Sequence, residues 1–321
     1  MFALVTADAA AGLDPDLEPL AAAMSPLLDR AGAPSAVRIV SWDDSDVDWS
    51  VFDAVIIRST WDYTDRLPDF LDWVDRVDAV TRLVNPADTV RWSTDKRYLA
   101  DLAAEGIPVV PTTFVAPGQP SPGMPNGVGG ARSDVAVAKP TVGAGSSGAM
   151  RCSTPDVLAA HVTALHADGR TAMVQPYLEG LDEHGETALC FGPSAGGGLV
   201  FSHAFVKGPI LRSTEVEQVG DLFAKEDIGP RAPTSAELRL AEQVLASRPI
   251  AALSGVDFAR IDVAPHGPGG RDDIETLVVV ELELIEPSFY LDSSPGAAEW
   301  LAAAFVDRLA NATIGPTGTV S

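Results

Sequence analysis

VVVELELIEP, residues 278–287, is an apolar run with three carboxylates set into it. Side chains alternate across a strand, so Glu281 and Glu283 point to the same face. Two carboxylates about 5 Å apart repel by roughly 3 kcal/mol at an effective dielectric near 20. A sheet face does not carry that cost without a counter-charge. Val278, Val279, Val280, Leu282 and Leu284 suit a strand buried on both faces, so the glutamates need partners other than solvent. The alternative is an edge strand with its glutamates turned outward.

The rest of the chain says where a counter-charge comes from. Its formal net charge is −23, which argues against nucleic-acid binding, since that needs a basic footprint. The same excess makes each lysine informative. There are four, Lys96, Lys139, Lys207 and Lys225, in a chain that draws its remaining positive charge from arginine. A lysine is a compact charge suited to phosphate. At 321 residues the chain is long enough for two or three subdomains. No apolar run reaches the ~18 residues of a membrane span. The N-terminal MFALVTAD lacks a basic segment ahead of its apolar stretch, which argues against a secretory signal. Cys152 and Cys190 stand outside any metal-ligand spacing and read as small buried residues of a cytoplasmic protein.

Hydrophobic periodicity predicts strands at 2–6, 37–42 and 54–58 with helices at 16–30 and 68–80, an α/β layer. After Asn85-Pro86, Thr94 reads as the cap of a helix carrying Lys96, Tyr98, Leu99 and Leu102, closed by Gly106. Residues 107–115 and 135–138 are strand-like. Between them, 116–134 is rich in proline and glycine and reads as a mobile loop. Helices follow at 155–167, 235–247 and 296–310, and strands at 173–178, 186–191, 199–206, 256–263 and 276–284.

Residues 143–148, Gly-Ala-Gly-Ser-Ser-Gly, spell G-x-G-x-x-G. The dinucleotide fingerprint needs a helix opening directly after the last glycine, and here the next helix begins only near Pro155. A Walker A loop fails because no Gly-Lys-Ser/Thr follows. What remains is a flexible turn between antiparallel strands, its backbone N–H groups free to close on phosphate, with Lys139 just ahead of it. A solvent-exposed hairpin without a ligand is the plainer alternative.

Taken in order, Asp95-Lys96, Lys139-Pro140, the glycine loop, Gln175-Pro176-Tyr177-Leu178, Gly185-Glu186-Thr187, Arg260-Ile261-Asp262 and Glu281-Leu282-Glu283 form one constellation. It resembles the ATP-grasp ligases of the glutathione-synthetase type, and within them the cyclo-ligases of D-cycloserine type. The likeness is carried by TRLVNPADTVRWSTDKRYLADL, QPYLEGLDEHGET, FSHAFVKG and VVELELIEP, and it spans essentially the whole chain. It implies an α/β fold (α+β in the C-terminal half). An N-terminal pre-grasp domain would occupy 1–90, a central subdomain with the glycine-rich lid 91–174, and a C-terminal subdomain with the metal site 175–321.

The resemblance also implies roles. Lys96 and Lys139 contact ATP phosphates, and Gly143, Gly145, Ser146, Ser147 and Gly148 belong to the lid. Gln175, Pro176, Tyr177 and Leu178 read adenine, and Glu186 binds ribose. Lys139, Lys207 and Arg260 face the transferring phosphoryl group. Asp262, Glu281 and Glu283 hold Mg²⁺, with Mn²⁺ as a substitute. Many relatives carry Asn where Glu283 stands, so the charge balance here differs. The implied chemistry is carboxylate activation to an acyl phosphate, then attack by an amine, on an amino-acid-like small molecule. Intramolecular ring closure and a non-catalytic nucleotide-binding protein are the alternatives, and the sequence is compatible with a homodimer. For the substrate, Arg58 is a candidate carboxylate clamp and Trp61 or Tyr63 a pocket wall. A structural ion pair for Arg58 stands equally open. His203, Arg212, Glu286 and Ser288 complete the substrate candidates, and Lys225 matches no family position.

Overall fold

The computed structural model describes residues 1–30, 37–130, 133–208, 218–219, 223–224, 227–266 and 270–312. Strands β1 (Phe2–Thr6), β2 (Val37–Ser41), β3 (Ala54–Ser59) and β4 (Arg82–Val84) form a parallel sheet in the order β2-β1-β3-β4. Every residue of β1 and β3 is buried, as parallel strands covered on both faces should be. Alternation divides the cover. Phe2 and Leu4 pack against α1 (Leu17–Arg30) and the closing helix α9 (Ala297–Ala312). Ala3 and Val5 pack against Phe70, Trp73, Val74 and Val77 of α2 (Leu67–Asp78). The last helix of the chain thus returns to cover the first sheet.

A second described sheet, antiparallel, has the order β5-β8-β6-β7. Its strands are β5 (Thr113–Val115), β6 (Ala136–Pro140), β7 (Met150–Cys152) and β8 (Ala172–Pro176). Leu158, Val162 and Leu165 of α5 (Pro155–Ala167) cover it, and Thr154 caps that helix by accepting the Val157 N–H. The expected domain boundary at 174/175 falls inside β8. Residues 116–130 hold no regular strand or helix, and Met124 and Val128 pack onto neighbouring cores.

Two short helices, α3 (Ala87–Ser93) and α4 (Tyr98–Ala104), replace the single helix expected around Lys96. The first starts earlier, at extended Pro86, and the chain turns between them at 94–97. Lys96 therefore sits in a turn, not on a helix face. Tyr98, Leu99 and Leu102 pack into the core of the third sheet, with Leu189, Ile261 and Leu282, where Met173 of β8 also reaches.

In chain order the remaining elements are α6 (Gly180–His184), β9 (Glu186–Pro193), β10 (Leu199–Lys207), and the two-residue strands β11 (Gln218–Val219) and β12 (Phe223–Ala224). Then come β13 (Ile228–Pro230), α7 (Ser235–Leu245), α8 (Arg248–Ala251), β14 (Ala259–Pro265) and β15 (Leu277–Glu283). The third sheet is antiparallel, ordered β13-β10-β9-β14-β15. Its edge strand β15 is not bare. Val279 N–H donates to Pro108 O, Val110 N–H to Val279 O and Leu282 N–H to the Tyr98 hydroxyl. That is why only 113–115 of the predicted 107–115 strand joins the central sheet: its first half borders β15. Asn85 ties the N-terminal domain to the third sheet, its amide donating to Phe258 O and Leu284 O.

Candidate active site

The 278–287 stretch is a strand with a defect in it. β15 pairs with β14 as Arg260↔Glu283, Ile261↔Leu282 and Asp262↔Glu281, and then Val263↔Val279, so one residue is skipped. This bulge shifts the alternation. Leu277 and Val279 on one side of it and Leu282 and Leu284 on the other all face the same apolar core. Glu281 and Glu283 are left together on the opposite face, directly across from Asp262 and Arg260. Register with β9 and β10 adds Glu186 and Lys207, which are cross-strand partners.

The counter-charges are all present. Lys207 Nζ lies 2.6 Å from Asp262 Oδ2 and also pairs with Glu186. Arg260 grips Asp262 with Nε and Nη2, both at 2.9 Å, and Glu283 Oε1 with Nη2 at 2.5 Å. Lys96 Nζ lies 3.1 Å from Glu281 Oε1 and donates to Gly143 O, while Lys139 Nζ lies 3.9 Å from Glu281 Oε2. Burial alone would raise Asp262, but Arg260 and Lys207 hold it well below the usual carboxylate range. Burial likewise opposes ionisation of Glu281, yet Lys96 and Lys139 lower it to about 2. At Glu283 burial wins over Arg260, with repulsion from Glu281 and Asp262 added, and the group rises to about 8. Lys139, poorly compensated, is lowered by burial.

Two cavities meet at this lattice. The larger, about 320 Å³, is lined by Lys96, Lys139, Lys207, Arg260, Glu281 and Glu283 on one side. Trp61, Tyr63, Glu286, Ser288 and Tyr290 line the other, and the glycine loop from Gly143 to Ser147 borders it. The loop does join antiparallel strands, β6 to β7, and Gly145, Ser146 and Gly148 take left-handed backbone, with φ of 56°, 60° and 71°. The smaller, about 120 Å³, is a slot between Gln175, Pro176, Tyr177, Leu178 and Glu186, with Val110, Val137 and Val280 as apolar walls. Lys139, Lys207 and Glu281 touch both. Gly185 must be glycine: at φ 67° a Cβ there would lie 2.7 Å from Lys207 O. That close approach starts β9 where Glu186 meets Lys207.

Some expected residues are placed otherwise. Arg58 is 1% exposed and lines neither cavity. Its Nη2 donates to Pro287 O at 2.8 Å and lies 3.8 Å from Asp16. It is a strut, because the last residues of β3 are enclosed by the returning 286–291 segment. His203 is also a strut, its ring bonded to Phe289 O at 2.8 Å and to Ser202. Asp262 is 0% exposed with both oxygens engaged by cations, so it presents no free oxygen to the cavity. Among the described residues no three His, Cys, Asp or Glu side chains converge to hold a metal. Arg212 and Lys225 lie outside the described residues. Sequence reasoning missed Asp16, whose carboxylate accepts the N–H groups of Phe289, Tyr290 and Leu291. It also missed Thr112, which accepts from the Gln175 amide at 2.8 Å. Nothing local in the sequence marks either.

A lysine-lined cleft between two antiparallel sheets, with acids on adjacent strands and a glycine loop at the mouth, is the arrangement of an ATP-grasp ligase. D-alanyl-alanine synthetase A from Vibrio cholerae shares the fold, with TM-score 0.60 and 13% identity over 98% of each chain. An ATP-grasp RimK domain protein from Sphaerobacter thermophilus does so too, with TM-score 0.55 and 16% identity over 95% of this chain and 100% of that one. The crystal structure of D-cycloserine synthetase DcsG is more similar, with TM-score 0.77 and 33% identity over 96% and 99%. Residues 2–85 match the family described as D-cycloserine synthetase DcsG, N-terminal domain. The cycloserine biosynthesis protein DcsG of Streptomyces lavendulae is 36% identical over 321 residues, 96% of this chain and 99% of the relative. The chain belongs to the DcsG family of ATP-grasp ligases. Among the described residues no helix is long and apolar enough to cross a membrane.

Proposed function

We propose that this enzyme is an ATP- and Mg²⁺-dependent carboxylate–amine ligase of antibiotic biosynthesis that works through an acyl phosphate. A substrate carboxylate oxygen attacks the γ-phosphorus of ATP and ADP leaves. An amine nitrogen then attacks the acyl carbon, phosphate departs with the C–O electron pair, and the nitrogen gives up a proton. The observation that carries the reading is the ion-pair lattice. Lys96, Lys139, Lys207 and Arg260 are gathered on one wall of one cavity by acids of adjacent strands. Such a wall brings two mutually repelling anions together and neutralises the charge that develops between them.

In this reading Lys96 and Lys139 take phosphate oxygens, and Lys207 and Arg260 the transferring group. The 143–148 loop closes to exclude water that would hydrolyse the acyl phosphate. Adenine occupies the slot at Gln175–Leu178, and ribose hydroxyls meet Glu186. Glu281 and Glu283, whose side chains are 20% and 25% exposed on the cavity wall, are hard oxygen donors of the kind Mg²⁺ takes. Asp262 joins them only where Lys207 or Arg260 is drawn off toward phosphate. An ion held there would supply charge neutralisation for phosphate oxygens, and Mn²⁺ would suit the same donors. An amino-acid-like substrate agrees with relatives named D-alanyl-alanine synthetase and D-cycloserine synthetase. The similarity to DcsG favours ring closure within one molecule over joining of two.

ADP release, measured across a panel of amino acids with hydroxylamine present, tests this. ADP together with a hydroxamate is expected. AMP as product overturns the phosphoryl transfer. Product mass then separates ring closure, with atoms of one substrate molecule, from ligation of two.

A further inference from the structure

Five carboxylates belong to the cavities and the ion-pair lattice between them, and four have a cation of their own. Asp262 has Arg260 and Lys207, Glu186 has Lys207, Glu281 has Lys96, and Glu283 has Arg260. Glu286 is the exception. It lines the larger cavity and is 8% exposed, yet among the described residues no lysine, arginine or histidine lies within ion-pair distance of it. Its neighbour for side-chain hydrogen bonding is the Tyr63 hydroxyl, from the N-terminal domain. A carboxylate withdrawn from water without a paired cation is costly, and burial pushes it up to about 7 against the weaker, more distant pull of Lys96.

The backbone just after it is nevertheless held firmly. The segment that carries it is pinned by Arg58 on Pro287 O, by Arg260 on Ser288 O at 2.9 Å, and by Asp16 on three successive N–H groups from Phe289. A carboxylate on a pinned backbone at a cavity wall, offset only from beyond ion-pair distance by Lys96, is a receptor for an external cation. Around it, Leu13, Pro15, Trp61 and Tyr290 supply apolar walls.

We propose that Glu286, oriented by Tyr63, receives the ammonium group of an α-amino-acid substrate and so points that substrate's carboxylate toward Arg260 and the lysines. This rests on the ligase reading and names its substrate class. Glu286 touches substrate; Tyr63 is a positioning residue.

The test pairs each amino acid, in both enantiomers, with its 2-hydroxy counterpart, which keeps the carboxylate and lacks the ammonium. ADP release with hydroxylamine is read for wild type, Glu286→Gln and Tyr63→Phe, alongside melting curves. For any amino acid the wild type uses, Glu286→Gln should lower the ratio of amino-acid to hydroxy-acid kcat/KM by at least about 30-fold, the scale of a charged hydrogen bond. KM should carry most of that change. Tyr63→Phe should lower the ratio about 3- to 10-fold. An unchanged ratio, with both substrates lost equally or neither affected, overturns the proposal. So does a shift in half-saturating Mg²⁺ that is the same for both substrates, which would make Glu286 a metal residue. No ADP release by wild type with any panel member is a separate outcome and sinks the ligase reading itself.

Discussion

The wall that the antiparallel sheet gives to the large cavity and the wall that faces the N-terminal domain are held by different means. On the sheet wall the partners are cross-strand neighbours: Asp262 opposite Glu281, Arg260 opposite Glu283, Lys207 opposite Glu186. On the other wall the partners are far apart in the chain. Arg58 reaches Pro287 across 229 residues, and Asp16 reaches Leu291 across 275. Strand register places charges to within a side-chain rotamer, which suits phosphoryl transfer. Tertiary struts can be retuned one at a time without disturbing that register, which suits a changing substrate.

The comparison breaks most readily at the sheet wall. Asp262→Asn should cost about 3–5 kcal/mol, because Arg260 and Lys207 would stay buried with one charge fewer between them. Chemical denaturation reads this, and a cost below about 1 kcal/mol would mean the lattice is not what holds the wall. Glu281→Gln should lower the melting temperature, less than Asp262→Asn does because its site is more exposed, and reduce ATP turnover at least about 10³-fold, since it removes the charge shared by Lys96 and Lys139. Retained ADP release would take Glu281 out of the chemistry.

The sheet wall was also the part legible in the sequence. Period-two alternation put Glu281 and Glu283 on one face, the shortage of lysines marked four of them, and the family resemblance picked Lys96, Lys139 and Lys207 from the four. The bulge at 279–281 was not legible, because VVVELEL reads as an unbroken strand until its partner is known. Nor was the strut role of Arg58. It lies near the end of a strand of valine and isoleucine and precedes Trp61, a setting in which a ligand clamp and a buried pair look alike. Only the return of residues 286–291 decides between them. Asp16 lies beside Pro15 at a helix start, where acids are ordinary. The expected helix around Lys96 failed because Pro86 begins α3 about two turns before Thr94.

Struts should trade stability for substrate affinity and leave the nucleotide alone. Arg58→Met is expected to cost about 2 kcal/mol, less than a fully broken buried pair, because Asp16 keeps its three backbone donors. Substrate KM should rise and the KM for ATP stay level. A rise in both would show that the two walls are not separable.

Glu286 gives the comparison a pH signature. Its folded pKa, about 7, stands above the ordinary 4.5. The stability it contributes is therefore present below about pH 4.5 and lost as pH climbs through about 7. Glu286→Gln removes that loss. Wild type and variant should be about equally stable near pH 5, and the variant more stable by about 1–2 kcal/mol near pH 8. His203, lowered by burial, works in the opposite sense, but it is common to both proteins and cancels in the difference. A difference that does not grow with pH would mean that Glu286 is charged and compensated already.

The smallest expected effect probes the slot. The Gln175 amide donates to Thr112 Oγ1 at 2.8 Å, a bond between β8 and the segment bordering β15. Thr112→Val keeps the shape and removes the acceptor, a loss of about 1 kcal/mol. If Gln175 to Leu178 form the base-reading edge, the KM for ATP should rise about 5-fold, with kcat and substrate KM unchanged. A change confined to substrate KM would put the nucleotide elsewhere. The division of labour between the two walls would then have to be redrawn, with the slot serving the substrate and the large cavity serving the phosphates and the base together.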